Sequence, residues 1–383
     1  MRSPNRWVML SLGMSAQGAA CVFMFGLPFL LPALQSGRGL SLAQAGLLVG
    51  APSAGMLATL IAWGWVADRY GERLALTSGL ALAGGLLIAA AMARQTVVLG
   101  LLLALAGAAG ASVNAASGRV VLGWFPKEKR GLAMSWRQTA QPLGVAAAGV
   151  LVPRVATVSA ALFWMAAICL VTAAAVAAFV VDPPRAQAAG ASSGSPYREP
   201  ALWRVHGASM LLVVPQFVTA AFALTYLVSV RHWQVGTASA LIAGAQFAGA
   251  AGRLACGRWS DVVGSRMRPM RQLALVNGAV MLLLAATAIR GAALSSALLV
   301  GAMVVAMSGN GLAFTAVSEL AGASWAGRAM GAQNTGQNLV AAATPGAIGA
   351  LISASGFGPA FALAGALAWA AALVTPGERA ESY

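Results

Sequence analysis

Gly64-Trp-Val-Ala-Asp68-Arg69-Tyr-Gly71-Glu-Arg73 returns as Gly257-Arg-Trp-Ser-Asp261-Val-Val-Gly264-Ser-Arg266, each time directly after a long apolar segment. The shared positions (64 with 257, 68 with 261, 71 with 264, 73 with 266) are all 193 residues apart, about half of the 383-residue chain. A chain written twice at that period predicts two equivalent halves, the organisation of carriers built from parallel repeats.

Composition names the solvent. Hydrophobic residues make up 59% of the chain and charged residues 9%, with a mean hydropathy of +0.79, far from a soluble globular domain. Twelve apolar stretches, at 7–32, 41–66, 74–93, 96–124, 131–153, 157–181, 205–229, 238–259, 272–290, 294–318, 327–352 and 357–375, are each long enough to cross a hydrocarbon core. They lack the alternation of barrel strands, so they are expected to be helices, whose backbone groups are satisfied internally in lipid. The expected fold is an all-α integral membrane protein: twelve transmembrane helices in two pseudo-symmetric six-helix bundles, 1–181 and 204–383, joined by a polar linker over 182–203.

A net charge of +15 raises the question of a nucleic-acid partner, but the basic residues sit in short alternate loops rather than on one face. About five of them (Arg38, Arg94, Arg154, Arg231, Arg290) fall in one loop set and about sixteen in the other set and the termini. The richer set is expected inside, which puts both termini in the cytoplasm of a cytoplasmic-membrane, multi-pass protein. Cys21, Cys169 and Cys256 stand alone in apolar spans, which favours buried thiols over disulfides or a metal site. No cofactor or metal is expected.

The doubled stretch resembles the loop signature of the major facilitator superfamily, G-x-x-x-D-x-x-G-x-R, found between helices two and three and between eight and nine. Asp68 and Asp261 come at the carboxyl ends of helices two and eight, where the helix dipole disfavours negative charge and calls for a positive partner. Arg69, Arg73 and Arg266 are the local candidates. The resemblance implies a second partner in each case: the amino terminus of helix eleven for Asp68 and of helix five for Asp261, with Gly64, Gly71, Gly257 and Gly264 completing the gating loops. A further internal match, Ala133-Met-Ser-Trp-Arg137-Gln138-Thr139-Ala-Gln141 with Ala329-Met-Gly-Ala-Gln333-Asn334-Thr335-Gly-Gln337, marks helices five and eleven as counterparts. Polar residues at i and i+4 (Arg137 and Gln141, Gln333 and Gln337, Asn334 and Asn338) stack on one helix face, expected to turn away from lipid.

Arg119, Arg137 and Arg253 are the basic residues expected well inside spans, seven or eight residues from the membrane edge, or roughly 10–12 Å at the rise of an α-helix. All nine acids are expected elsewhere. Guanidinium groups at one level with no carboxylate predict an anionic substrate held by charge-assisted bonds. Each arginine also has a plainer reading as a snorkelling or bracing group, and Arg119 stands where it could brace helix four against the Asp68 loop. Gln17, Asn114, Gln216, Gln246 and Asn310 are secondary candidates for contact with substrate, or for bridging between helices. Gly252-Arg253-Leu-Ala-Cys-Gly257-Arg-Trp-Ser260-Asp261-Val-Val-Gly264 is similar to the pattern of oxalate/formate antiporter-like and monocarboxylate-transporter-like members, and that resemblance implies that Arg253 binds a substrate carboxylate. Gln333 and Asn334 stand where oxalate carriers have a basic residue, and Leu60 stands where nitrate carriers pair a second arginine.

The function expected is therefore transport of a small organic anion, a monocarboxylate foremost, by a monomer that rocks its two halves about a central site in the lipid bilayer. A proton or a counter-anion is left open as coupling partner, with Glu319 and His206 the titratable groups nearest membrane depth. The alternatives are a proton-coupled exporter of amphiphiles and an inorganic-anion carrier. Enzyme chemistry is not expected, because the chain carries neither H-E-x-x-H nor G-x-S-x-G nor a Cys and His cluster at metal spacing.

Overall fold

The computed structural model describes residues 5–155, 157–183, 195–290, 292 and 294–377. Among them there is no strand, and twelve long helical segments account for most of the chain. We number these α1 (Arg6–Gly26), α2 (Leu42–Tyr70), α3 (Glu72–Met92), α4 (Thr96–Trp124), α5 (Arg130–Leu151), α6 (Val158–Phe179), α7 (Pro200–Thr225), α8 (Val235–Val263), α9 (Met267–Ile289), α10, α11 (Ala326–Ser355) and α12 (Phe357–Val374). Helix α10 is interrupted at Gly309 into α10a (Leu294–Ser308) and α10b (Asn310–Ala321). Of the linker expected over 182–203, residues 184–194 lie outside the described residues; Pro196–Arg198 form a short 3-10 turn, and α7 already begins at Pro200.

Ten of the twelve segments are long and apolar enough to cross a membrane by that measure alone, and α5 and α8 are the two left out. Arg137, Gln138 and Gln141 lower the hydropathy of α5, and Gln246 and Arg253 that of α8. Both of these helices carry a buried arginine, as α4 also does with Arg119. Local chemistry sets several starts: Ser41 and Gln44 form a reciprocal capping box before α2, and the side chains of Asn5 and Thr157 cap α1 and α6. Leu47, Phe247 and Leu373 are 77%, 77% and 82% exposed, an arrangement costly in water and neutral against lipid tails.

The chain divides into two compact units. The first comprises Met1–Pro126, Trp136–Ser193 and Ala321–Thr335; the second comprises Lys127–Ser135, Gly194–Leu320 and Gly336–Tyr383. In the first unit α4 packs against α1, α2 and α3, and α6 against α1 and α3, around a core that includes Phe23, Leu27, Leu60, Leu76, Leu80 and Leu87. In the second, α12 packs on α7 and α9 and α10a on α8, with Tyr226 edge-on to Phe357 and Phe361 at ring separations of 5.2 and 5.4 Å. Each unit thereby takes in the first turns of a helix whose remainder belongs to the other: the start of α11 in the first, the start of α5 in the second.

Candidate functional site: two carboxylate clasps and two buried arginines

Helix α2 runs on to Tyr70 and α3 starts at Glu72, so the loop expected between them shrinks to Gly71, whose φ of +102° only glycine adopts without strain. Asp68 consequently sits in the last turn of α2, facing the first turn of α11. Its Oδ1 accepts the N–H of Gly327 at 2.8 Å, and its Oδ2 accepts both the N–H and the Nε–H of Arg328 at 3.0 and 2.9 Å. The two peptide N–H groups are helix N-terminal donors that lack an intrahelical partner. Arg119 of α4 also donates to Asp68 Oδ1 through Nη1, while its Nε donates to Glu72 Oε1 at 2.7 Å and its Nη1 to the carbonyl of Ala323 at 2.8 Å.

The second unit repeats the plan. Asp261, in the last turn of α8, accepts the N–H groups of Gly131 and Leu132 from the first turn of α5, both at 2.9 Å. Arg266 donates to Asp261 Oδ1 at 2.7 Å, to Ser260 Oγ at 2.7 Å and to Glu319 at 3.2 and 3.3 Å, and Arg130 lies 3.7 Å from the same glutamate. Each clasp is thus carboxylate, guanidinium, carboxylate, with the providers exchanged. In the first the arginine comes from α4 and the outer acid from the α2–α3 junction; in the second the arginine comes from the α8–α9 junction and the outer acid from α10b.

Backbone proximity makes both clasps possible. A Cβ on Gly64 would meet the carbonyl of Gly327, and one on Gly257 would meet the carbonyl of Gly131, so these crossings admit only hydrogen as a side chain. The aspartate side chains are 3% and 1% exposed, and removing such groups from water costs several kcal/mol unless hydrogen bonds and opposite charge offset it. The peptide donors and arginines supply both.

Two local candidates for pairing with Asp68 lie elsewhere, and the expectation is corrected. Arg69 lies 5.7 Å from the ring centroids of both Trp65 and Tyr70. Arg73, inside α3, gives its backbone N–H to Asp182 at 2.8 Å and a guanidinium N–H to the carbonyl of Ala177. The reading of three guanidinium groups free of carboxylates is corrected too: Arg119 is engaged by Asp68 and Glu72, and its charge is balanced there. Glu72, Arg130, Arg328 and Glu319 are the clasp members that the sequence did not reveal. Glu72 lies within the doubled stretch itself, and its acidity next to Gly71 was the one signal available.

Two arginines remain in other surroundings. Arg137 is 2% exposed. Its Nε donates to Ser117 Oγ at 2.8 Å, Nη1 to Gln138 Oε1 at 2.8 Å, and Nη2 to the carbonyl of Asn114 at 3.0 Å and to Gln17 Oε1 at 3.4 Å. Gln17 also donates to Asn114 Oδ1 at 3.0 Å, so Gln17, Asn114 and Arg137 form one network within the first unit. Arg253, 4% exposed, donates from Nε to the carbonyl of Met307 at 3.1 Å. The acceptors named for both are neutral oxygens, which orient a guanidinium without cancelling its charge.

The other candidates scatter. Gln333 and Asn334 are buried in the first unit, the latter donating to the carbonyl of Met330 at 2.9 Å. Gln337 is buried in the second, donating to Ser209 Oγ at 2.5 Å and Asn310 Oδ1 at 3.0 Å. Gln141 is exposed and Gln246 half-buried. His206, 7% exposed, meets the Tyr197 hydroxyl at 3.3 Å.

Comparison with known proteins agrees with this fold. The Major Facilitator Superfamily profile matches residues 13–345. An uncharacterized MFS-type transporter of Mycobacterium tuberculosis strain H37Rv is 42% identical over 377 residues, covering 97% of this chain and 85% of its own, and the counterpart in strain CDC 1551 is equally similar. Among solved structures, the E. coli fucose:proton symporter FucP superposes with a TM-score of 0.73 at 17% identity, over 97% of this chain and 98% of its own. The human organic anion transporter MFSD10 superposes with a TM-score of 0.76 at 15% identity, over 98% and 100%. At those identities the likeness is one of fold.

Proposed function

The chain belongs to the Major Facilitator Superfamily and is a multi-pass membrane transporter, and from that premise we propose that it carries small organic anions, monocarboxylates foremost, across the cytoplasmic membrane by alternating access. The observation that carries this reading is the pair of deeply buried guanidinium groups, Arg137 and Arg253, oriented by neutral oxygens. A buried positive charge in a membrane helix is costly and marks a functional site by default, and a carboxylate is matched in shape to the planar fork of arginine. Arg253 is the residue assigned to the substrate carboxylate, in keeping with the local resemblance to monocarboxylate and oxalate/formate carriers; Arg137 supports the same charge preference from its own unit. With both termini inside, the two clasps lie at the cytoplasmic ends of their helices and must open once per cycle.

Counterflow of labelled monocarboxylates into proteoliposomes tests the reading. Arg253→Ala and Arg253→Lys are expected to lower uptake at least tenfold, with the protein still folded by its elution profile and thermal unfolding. Undiminished uptake by Arg253→Ala, or counterflow with amphiphilic cations in place of carboxylates, would remove it.

A further inference from the structure

Inside the second unit, where α10 is interrupted, lies a cavity of about 20 Å³ whose polar lining is Ser209, Gln216, Asn277, Asn310 and Gln337. We propose that it is a sodium-ion site, adding a coupling cation to the transporter independently of which substrate it carries.

One argument is internal symmetry. Helices α4 and α10 match at an offset of 196, with Ser112 against Ser308, Asn114 against Asn310 and Val121 against Val317, the same offset that relates Gln141 to Gln337 and Arg137 to Gln333. In the first unit this constellation surrounds a cation: the Arg137 guanidinium, bonded to the carbonyl of Asn114, Ser117 and Gln17. Gln333, the sequence counterpart of Arg137, lies in the first unit; in the second, Asn310 and Ala313, the counterparts of Asn114 and Ser117, line a cavity that has no guanidinium in its lining. The asparagine that stands beside a tethered positive charge in one unit thus recurs beside a cavity in the other, with alanine in place of the serine.

The lining offers a second. Asn277 is 2% exposed, lines the cavity, and its Oδ1 meets no hydrogen-bond donor; a buried acceptor in that condition costs about 1–3 kcal/mol unless something binds it. Both amide hydrogens of Gln337 are used, on Ser209 and Asn310, so what Gln337 has left to offer is its carbonyl oxygen. Hard monovalent cations take neutral oxygens of this kind. Val305 and Ala306, from the last turn of α10a, also line the space, which brings the negative end of a half-helix to it, as at cation sites on broken membrane helices. The volume admits one water-sized sphere and excludes an organic cation.

The experiment uses the purified full-length protein without any organic anion, so its outcome is separate from that of the carboxylate reading. Thermal unfolding is followed in sodium, potassium and choline chloride at equal ionic strength, alongside binding of radioactive sodium. Saturable sodium binding, with a rise in melting temperature that potassium and choline do not reproduce, is expected, along with at least tenfold weaker binding in Asn277→Leu. Asn277→Asp, which keeps the shape and strengthens the acceptor, should bind sodium at least as tightly as the parent. Equal melting in the three salts, no saturable sodium binding to the parent protein, or unchanged binding in a folded Asn277→Leu would each overturn the proposal and leave the cavity a water site.

Discussion

Asp68 accepts the backbone N–H of Gly327 at 2.8 Å although the two residues are 259 positions apart in the chain. That bond joins the carboxyl end of α2 to the amino end of α11, satisfying a carboxylate against an unfavourable dipole with donors that have no other helical use. Asp261 does the same with Gly131, 130 positions earlier. Contacts made between helix ends can open and close as units without disturbing either helix.

Asp68→Asn keeps a hydrogen-bond acceptor but leaves Arg119 and Arg328 without the charge they share. Breaking a buried pair by removing one partner costs about 3–5 kcal/mol, and a destabilisation at or near that range is expected in detergent unfolding, together with loss of most transport. An effect under about 0.5 kcal/mol, the size typical of a neutral surface change, would show that the clasp is not a stabilising element.

Arg119 and Glu72 are expected to behave as one unit. Arg119→Met alone leaves Asp68 and Glu72 as neighbouring buried carboxylates, whereas Arg119→Met with Glu72→Gln removes one of them. The double variant should be more stable than the sum of the singles predicts, by about 0.5–3 kcal/mol, the coupling typical of residues in contact. Additive losses would separate them.

Gly64→Leu places a side chain where the Gly327 carbonyl lies. Overpacking of this kind costs about 1–3 kcal/mol, and because it acts at the crossing it should also prevent the Asp68 clasp from closing. A cysteine pair introduced at the α2 and α11 ends should cross-link in the parent and at least tenfold more slowly in the variant; equal rates would show that the crossing tolerates bulk.

Arg137→Gln installs the residue that its counterpart position, 333, already carries. Glutamine can reach some of the same acceptors but brings no charge, so the protein should fold while anion counterflow falls at least tenfold. Retention of full counterflow would confine Arg137 to bracing α5 against α4.

Much of the architecture was legible because lipid imposes a length and a composition on every helix that crosses it. The runs around Leu80, Leu99 and Leu284 could be read without neighbours, and the doubled stretch at 64 and 257 announced the repeat. The partners of the charges were not legible. Arg73 stands closer in the chain to Asp68 than Arg119 does, yet its side chain turns to the Ala177 carbonyl, since the side of α3 on which it emerges depends on how that helix packs. Hydropathy is equally silent about the cavity beside Asn277, which depends on the interruption of α10 at Gly309.

By itself the sequence determined a twelve-helix membrane protein of two related halves, with aspartates at the ends of the second and eighth helices and arginines inside the fifth and eighth, because burial in hydrocarbon and helix periodicity act on local stretches of chain. Only the tertiary structure decided that Arg119 neutralises two acids while Arg137 and Arg253 are oriented by neutral oxygens. Hydrogen-bonded ion pairing needs side chains about 3 Å apart, and which ones come that close is a property of helix crossings, set where glycines such as Gly64 and Gly327 let two backbones touch.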